Sequence, residues 1–140
     1  MAAREAKPLA TDWILIVDDE FDIISIFKQA LVNKGFHVFG FTDPLLALEH
    51  FQINSKQYEL VISDLRMPGM NGYEFVKKIN EIKPEIKIFL MTAFEIDDVE
   101  FKKLLPKVKI EGLIQKPISL VDLTSTVSKY LPSRIDKRLS

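Results

Sequence analysis

WILIV (13–17) and YELVIS (58–63) are apolar at almost every position instead of every second one. A strand with one wet face alternates with a period of two. An unbroken run belongs to a strand covered on both faces, as in parallel sheets packed between helices. That constraint reaches along the chain, because every parallel connection has to cross over, usually through a helix. The crossovers are present. Ile23, Ile24, Phe27 and Leu31 keep helical spacing over 21–34, and Gly35 closes the segment. FHVFGF (36–41) predicts a second strand, and Asp43-Pro44 predicts an N-cap with proline at the first helical position, opening a helix to about Phe51.

After YELVIS and a loop punctuated by Pro68, Gly69 and Gly72, a further helix is outlined by Tyr73, Phe75, Val76, Ile79, Asn80 and Ile82. Asn71 with Glu74 predicts its cap. IKIFLM (86–91) predicts a strand ending at Thr92, and 96–105 a helix bounded near its end by Pro106. IEGLIQ (110–115) predicts the fifth strand, running into Lys116-Pro117. Ser119 with Asp122 has the form of a capping box, and Leu120, Leu123, Val127 and Leu131 mark one face of the last helix. Five strands alternating with five helices predict an α/β domain in which βαβ units wind a five-stranded parallel sheet covered on both faces.

Composition narrows the function classes. A chain of 140 residues fits one domain with a real core. The formal net charge of −1 gives no global pull toward nucleic acid or anionic membrane. Without cysteine there is no disulfide, thiolate zinc site or cysteine nucleophile. His37 and His50 are far apart and lack ligand spacing, so both are read as surface or packing residues. No apolar run has the length of a membrane span, and the N-terminus has no signal-like apolar stretch. The expectation is a cytoplasmic domain over 12–131, with a disordered lead-in at 1–11. The tail at 132–140 is too short for a DNA-binding output domain.

In a parallel sheet, ligands collect beyond the carboxyl ends of the strands. Asp18, Asp19 and Glu20 follow the first strand, Asp64 the third, Thr92 the fourth and Lys116 the fifth. Converging carboxylates repel one another and raise their own pKa values. Mg²⁺ relieves this, since it prefers oxygen ligands and is held by one or two carboxylates with a phosphate oxygen. Lys116 and the Thr92 hydroxyl suit a tetrahedral anion, so the set is fitted to hold a phosphoryl group on one carboxylate. Each residue alone has a plainer explanation: a turn or helix cap for the Asp pair, a strand terminator for Asp64, a structural threonine, a solvated lysine. Together, four residues at one rim make coincidence a poor account.

VDDE, SDLRMPGMNGYEF, MTAF and QKPIS, in this order and spacing, resemble the receiver domain of two-component response regulators, the CheY-like superfamily, over about 12–131. The resemblance implies a flavodoxin-like (βα)5 doubly wound sheet of strand order 2-1-3-4-5. It implies that Asp64 is the phosphoacceptor, that Asp19 binds Mg²⁺ (or Mn²⁺) directly, that Asp18 acts on the metal through water, and that the backbone carbonyl of Arg66 is a further ligand. Thr92 would bond a phosphoryl oxygen, Lys116 would pair with the phosphate, and Lys116-Pro117 matches the family's cis bond. The implied donor is a phosphohistidine on a sensor histidine kinase or phosphotransfer protein, and the output is a contact with a downstream protein.

Three departures from the family pattern stand out. Leu113 occupies the position, three before the lysine, where the family usually carries a Tyr or Phe whose rotamer reports the switch; Phe94 is a candidate substitute. The stretch 94–112 lacks the familiar Ala-x-Gly entry to the fifth strand. Arg66 and Phe94 flank the route of a hydrolytic water and are expected to slow dephosphorylation. Two other functions compete: a pseudo-receiver that only binds proteins, and an aspartyl-phosphate phosphohydrolase. The latter needs an acid two residues after the nucleophile, where this chain has Arg66.

Overall fold

The computed structural model describes residues 12–93, 103 and 107–131 of the protein. The predicted lead-in (1–11), the predicted helix (96–105) apart from Lys103, and the tail (132–140), together with Phe94 and Pro106, lie outside the described residues. Five strands, β1 (Trp13–Val17), β2 (His37–Phe41), β3 (Tyr58–Asp64), β4 (Lys87–Thr92) and β5 (Gly112–Gln115), form one sheet of order β2-β1-β3-β4-β5. All four pairings are parallel. Four described helices join or follow them: α1 (Phe21–Asn33), α2 (Pro44–Ile53), α3 (Gly72–Ile82) and α4 (Leu120–Tyr130).

The apolar runs are explained by two core layers. Ile14, Ile16, Leu60, Ile62, Phe89 and Met91 face one layer with Phe27 and Leu31 of α1 and Leu123 and Val127 of α4. The intervening Leu15, Val17, Val61, Ile88 and Leu90 face the other, with Ala47 and Phe51 of α2 and Phe75, Val76 and Ile79 of α3. Period-two alternation is thus present in direction but absent in polarity, because neither face is wet.

Local signals set the helix ends. Asp43 Oδ1 accepts from the Leu45 amide, Asn71 Oδ1 from the Glu74 amide and Ser119 Oγ from the Asp122 amide. At the end of α1, Gly35 N–H donates to Val32 O (2.9 Å) and Phe36 N–H to Leu31 O (3.2 Å). Gly35 has φ 93°, the left-handed conformation that this closing motif requires and glycine adopts freely. Phe36 is therefore spent on ending the helix, and β2 begins at His37 instead of the predicted residue 36.

β5 is shorter than IEGLIQ implied. The Asn80 side chain on α3 accepts from the Lys109 amide (2.9 Å) and donates to the Lys109 carbonyl (3.2 Å). Regular pairing starts at Gly112 against Phe89, and of the two predicted residues before it Glu111 donates its amide to Ile88 O (2.8 Å). β3 runs one residue further than predicted, to Asp64, while β4 starts one residue later, at Lys87, and ends at Thr92 as expected, so that Asp64 and Thr92 themselves belong to the sheet.

Candidate functional site

Among the described residues the buried polar or charged side chains are Asp18, Ser63, Asp64 and Thr92. All four lie at the carboxyl ends of β1, β3 and β4. Strand register puts them there: Val17 pairs with Ser63 and Asp64 with Met91, and the Asp18 amide donates to Phe41 O (3.2 Å). Burying carboxylates is costly unless charge compensates. Lys116 supplies the charge. Its own amide is held by Thr92 O (2.8 Å), which carries the side chain over the rim. Nζ then stands 2.9 Å from Asp18 Oδ2, 3.2 Å from Asp64 Oδ2 and 3.9 Å from Glu20 Oε1. The Lys116–Pro117 peptide is cis.

Electrostatics follow from this packing. Burial pushes the Asp64 carboxyl above its ordinary value, and the Asp18 charge adds to the rise. Lys116 and the Arg66 backbone amide pull the other way without cancelling it. Burial opposes the Lys116 ammonium, but Asp18 and Asp64 together outweigh it and hold its pKa above the usual lysine value. The Lys116–Asp18 contact is a close ion pair that falls short of an aligned hydrogen bond. Asp18 Oδ2 is left as the one buried side-chain atom, among the described residues, without a hydrogen-bond partner.

The loop after Asp64 is pinned from both sides. Leu65 N–H donates to Met91 O (2.8 Å), and Gly72 N–H to Leu65 O (2.6 Å). A Cβ at Gly72 would collide with the backbone of Asp64 and Leu65, so only glycine lets α3 start this close to the phosphoacceptor candidate. Met67 and Met70 anchor the loop in the α2/α3 core layer, leaving Arg66 exposed beside Asp64.

Asp18, Asp64, Thr92 and Lys116 are thus brought to one rim. Asp19 and Glu20 are exposed at its mouth, and single carboxylate oxygens of Asp18, Asp19 and Glu20 lie within 4.8 Å of one another. An all-oxygen donor set around an orphaned buried carboxylate atom fits a hard divalent cation. Leu113 is half-buried against the α2/α3 layer, paired in register with Leu90. His37 is exposed and contacts Asp12 at 3.2 Å. His50 packs among Trp13, Phe39, Phe41 and Tyr58, toward the amino ends of β1 and β3. Sequence reasoning read Gly72 as loop punctuation and placed Glu20 at the rim without giving it a role. The collision at Gly72 has no sequence signal, whereas Glu20 sits at an N-cap position where a short capping residue is the norm.

Comparison with known proteins follows the same lines. The family model for the response regulator receiver domain matches residues 14–128. Sporulation initiation phosphotransferase F of Bacillus subtilis is 31% identical over 120 residues, covering 85% of this chain and 93% of that protein. The response regulator receiver protein CpdR of Brucella abortus is 30% identical over 118 residues, covering 84% and 95%. The structure of the Vibrio cholerae chemotaxis protein CheY4 superposes with a TM-score of 0.76 at 28% identity, covering 89% of this chain and all (100%) of that one.

Proposed function

The chain belongs to the response regulator receiver domain family, and from that premise we propose that it is a phosphorylation switch with Asp64 as phosphoacceptor. The observation that carries the reading is the convergence of buried Asp18 and Asp64 on one lysine, with Nζ 2.9 Å from Asp18 and 3.2 Å from Asp64, next to buried Thr92 at the end of β4. In transfer, an Asp64 carboxylate oxygen forms the new bond to phosphorus while the phosphorus–nitrogen bond of a phosphohistidine breaks, the leaving imidazole taking up a proton from water. The donor would sit on a sensor histidine kinase or phosphotransfer protein.

Asp18, Asp19, Asp64 and the Arg66 carbonyl are the residues assigned to hold Mg²⁺, or Mn²⁺ in its place. The cation would neutralise phosphoryl oxygens and align donor with acceptor. Lys116 would release Asp64 and pair with the phosphate, and the Thr92 hydroxyl would donate to another of its oxygens. Thr92 and Leu113 end and flank the β4–β5 pair, so movement there would reach a protein-binding surface. Arg66, exposed beside Asp64, would hinder an incoming water and lengthen the life of the acyl phosphate. The reading makes the chain a signalling switch that catalyses only its own modification, acting in the cytoplasm by protein contact and not on DNA or membrane. Arg66 at the second position after Asp64 offers no general acid for turnover of external phosphate esters.

The test is incubation with Mg²⁺ and acetyl phosphate or a phosphorylated histidine kinase, followed by intact mass measurement in acid. The expected result is one base-labile phosphate on the native chain and none on Asp64→Asn. An unmodified native chain with both donors would return the protein to a pseudo-receiver role; an adduct that survives Asp64→Asn would remove the acceptor assignment.

A further inference from the structure

Glu20 stands at the N-cap position of α1 without capping it through its side chain. Asp43, Asn71 and Ser119 each accept an amide of the helix they precede. Glu20, at the same position before α1, makes no side-chain cap hydrogen bond. Its amide is instead tied to Asp18 Oδ1 (2.9 Å), and its carboxylate reaches toward the site, 3.9 Å from Lys116 Nζ. Beside it stands Asp18 Oδ2, wholly buried and without an aligned donor. The carboxylate oxygens of Asp18, Asp19 and Glu20 come within 4.8 Å of one another.

We propose that Glu20 is a third carboxylate arm of the cation site, one that admits Ca²⁺ and other large divalent cations alongside Mg²⁺. The proposal rests on the receiver reading of the site and adds a residue to it. Mg²⁺ keeps most of its water and is satisfied by one or two carboxylates, while Ca²⁺ takes about six to eight oxygens in flexible geometry. An exposed glutamate with three rotatable bonds is the donor that a larger ion can recruit and a small octahedral one does not need. Glu20 also competes for Lys116, so a cation that draws Glu20 away leaves the ammonium to Asp18 and Asp64 alone.

Calorimetric titration of the unphosphorylated protein with MgCl₂ and with CaCl₂ tests this without any phosphodonor. Glu20→Gln should weaken Ca²⁺ binding about tenfold and Mg²⁺ binding about threefold or less. Glu49→Gln, an exposed charge on α2 with the same change in net charge, should alter neither. Because Glu20 is 63% exposed at its side chain, its amide variant should fold with an unchanged Tm. Native affinities retained in Glu20→Gln, equal weakening of the two cations, or equal weakening by Glu49→Gln would each overturn the proposal. A native chain that binds neither cation would overturn the metal assignment itself, whatever Glu20 does.

Discussion

Asp64 is a carboxylate whose surroundings prefer it neutral. Its pKa stands above the ordinary 3.8, first through burial and then through the Asp18 charge. A raised value means that the folded chain binds this proton more readily than the unfolded one. The stabilising contribution is therefore full below the ordinary value and is lost as pH rises through the raised one. Asp64→Asn cannot ionise and should be more stable than the native chain at pH 7 without metal. The difference should shrink toward zero as pH falls below the raised value, and Mg²⁺ should narrow it at neutral pH by compensating the native carboxylate. Thermal unfolding across pH in EDTA and in Mg²⁺ measures both trends; a variant less stable than native at pH 7 would contradict them.

At the scale of elements, most of the layout could be read from the chain because the signals were local. Asp43-Pro44, Asn71 and Ser119 cap the helices that they were read to cap. Both the strand count and the parallel arrangement followed from apolar runs without alternation. The misreadings come from hydrogen bonds that hydrophobic periodicity does not signal. No periodicity announces that Asn80 captures the backbone of Lys109, 29 residues away. Phe36 looks like strand until its amide is seen closing α1. In the site, the rim positions of Asp18, Asp64, Thr92 and Lys116 were legible from strand ends, whereas the turn of Glu20 away from capping was not. Asn80→Ala should speed hydrogen exchange at the Lys109 amide by at least about tenfold and cost about 1 kcal/mol of stability. Unchanged exchange there would mean that β4 alone holds the segment, through the Glu111 amide and Ile88 O.

Across the whole molecule, opposite ends of the sheet carry different loads. The single tryptophan, Trp13, begins β1 and packs against Phe39 (ring centroids 4.5 Å) and Tyr58 (5.5 Å). Asp18 lies beyond the other end of the same strand, about 16 Å away at a strand's rise per residue. Trp13 emission should therefore report global unfolding by a red shift and stay unchanged when Mg²⁺ or phosphate reaches the site. A metal-dependent change in that emission would show that the two ends are coupled.

The lysine at the rim has one more consequence. β5 is the shortest strand of the sheet, four residues at its margin, and Lys116 follows it directly. Its ammonium is a tether thrown across the 52 residues between it and Asp64, lashing the margin to the centre. Any group that claims that ammonium tugs on the element with the least backbone pairing to resist. A message received at the middle of the sheet would then be felt first as slack or tension along its outermost thread.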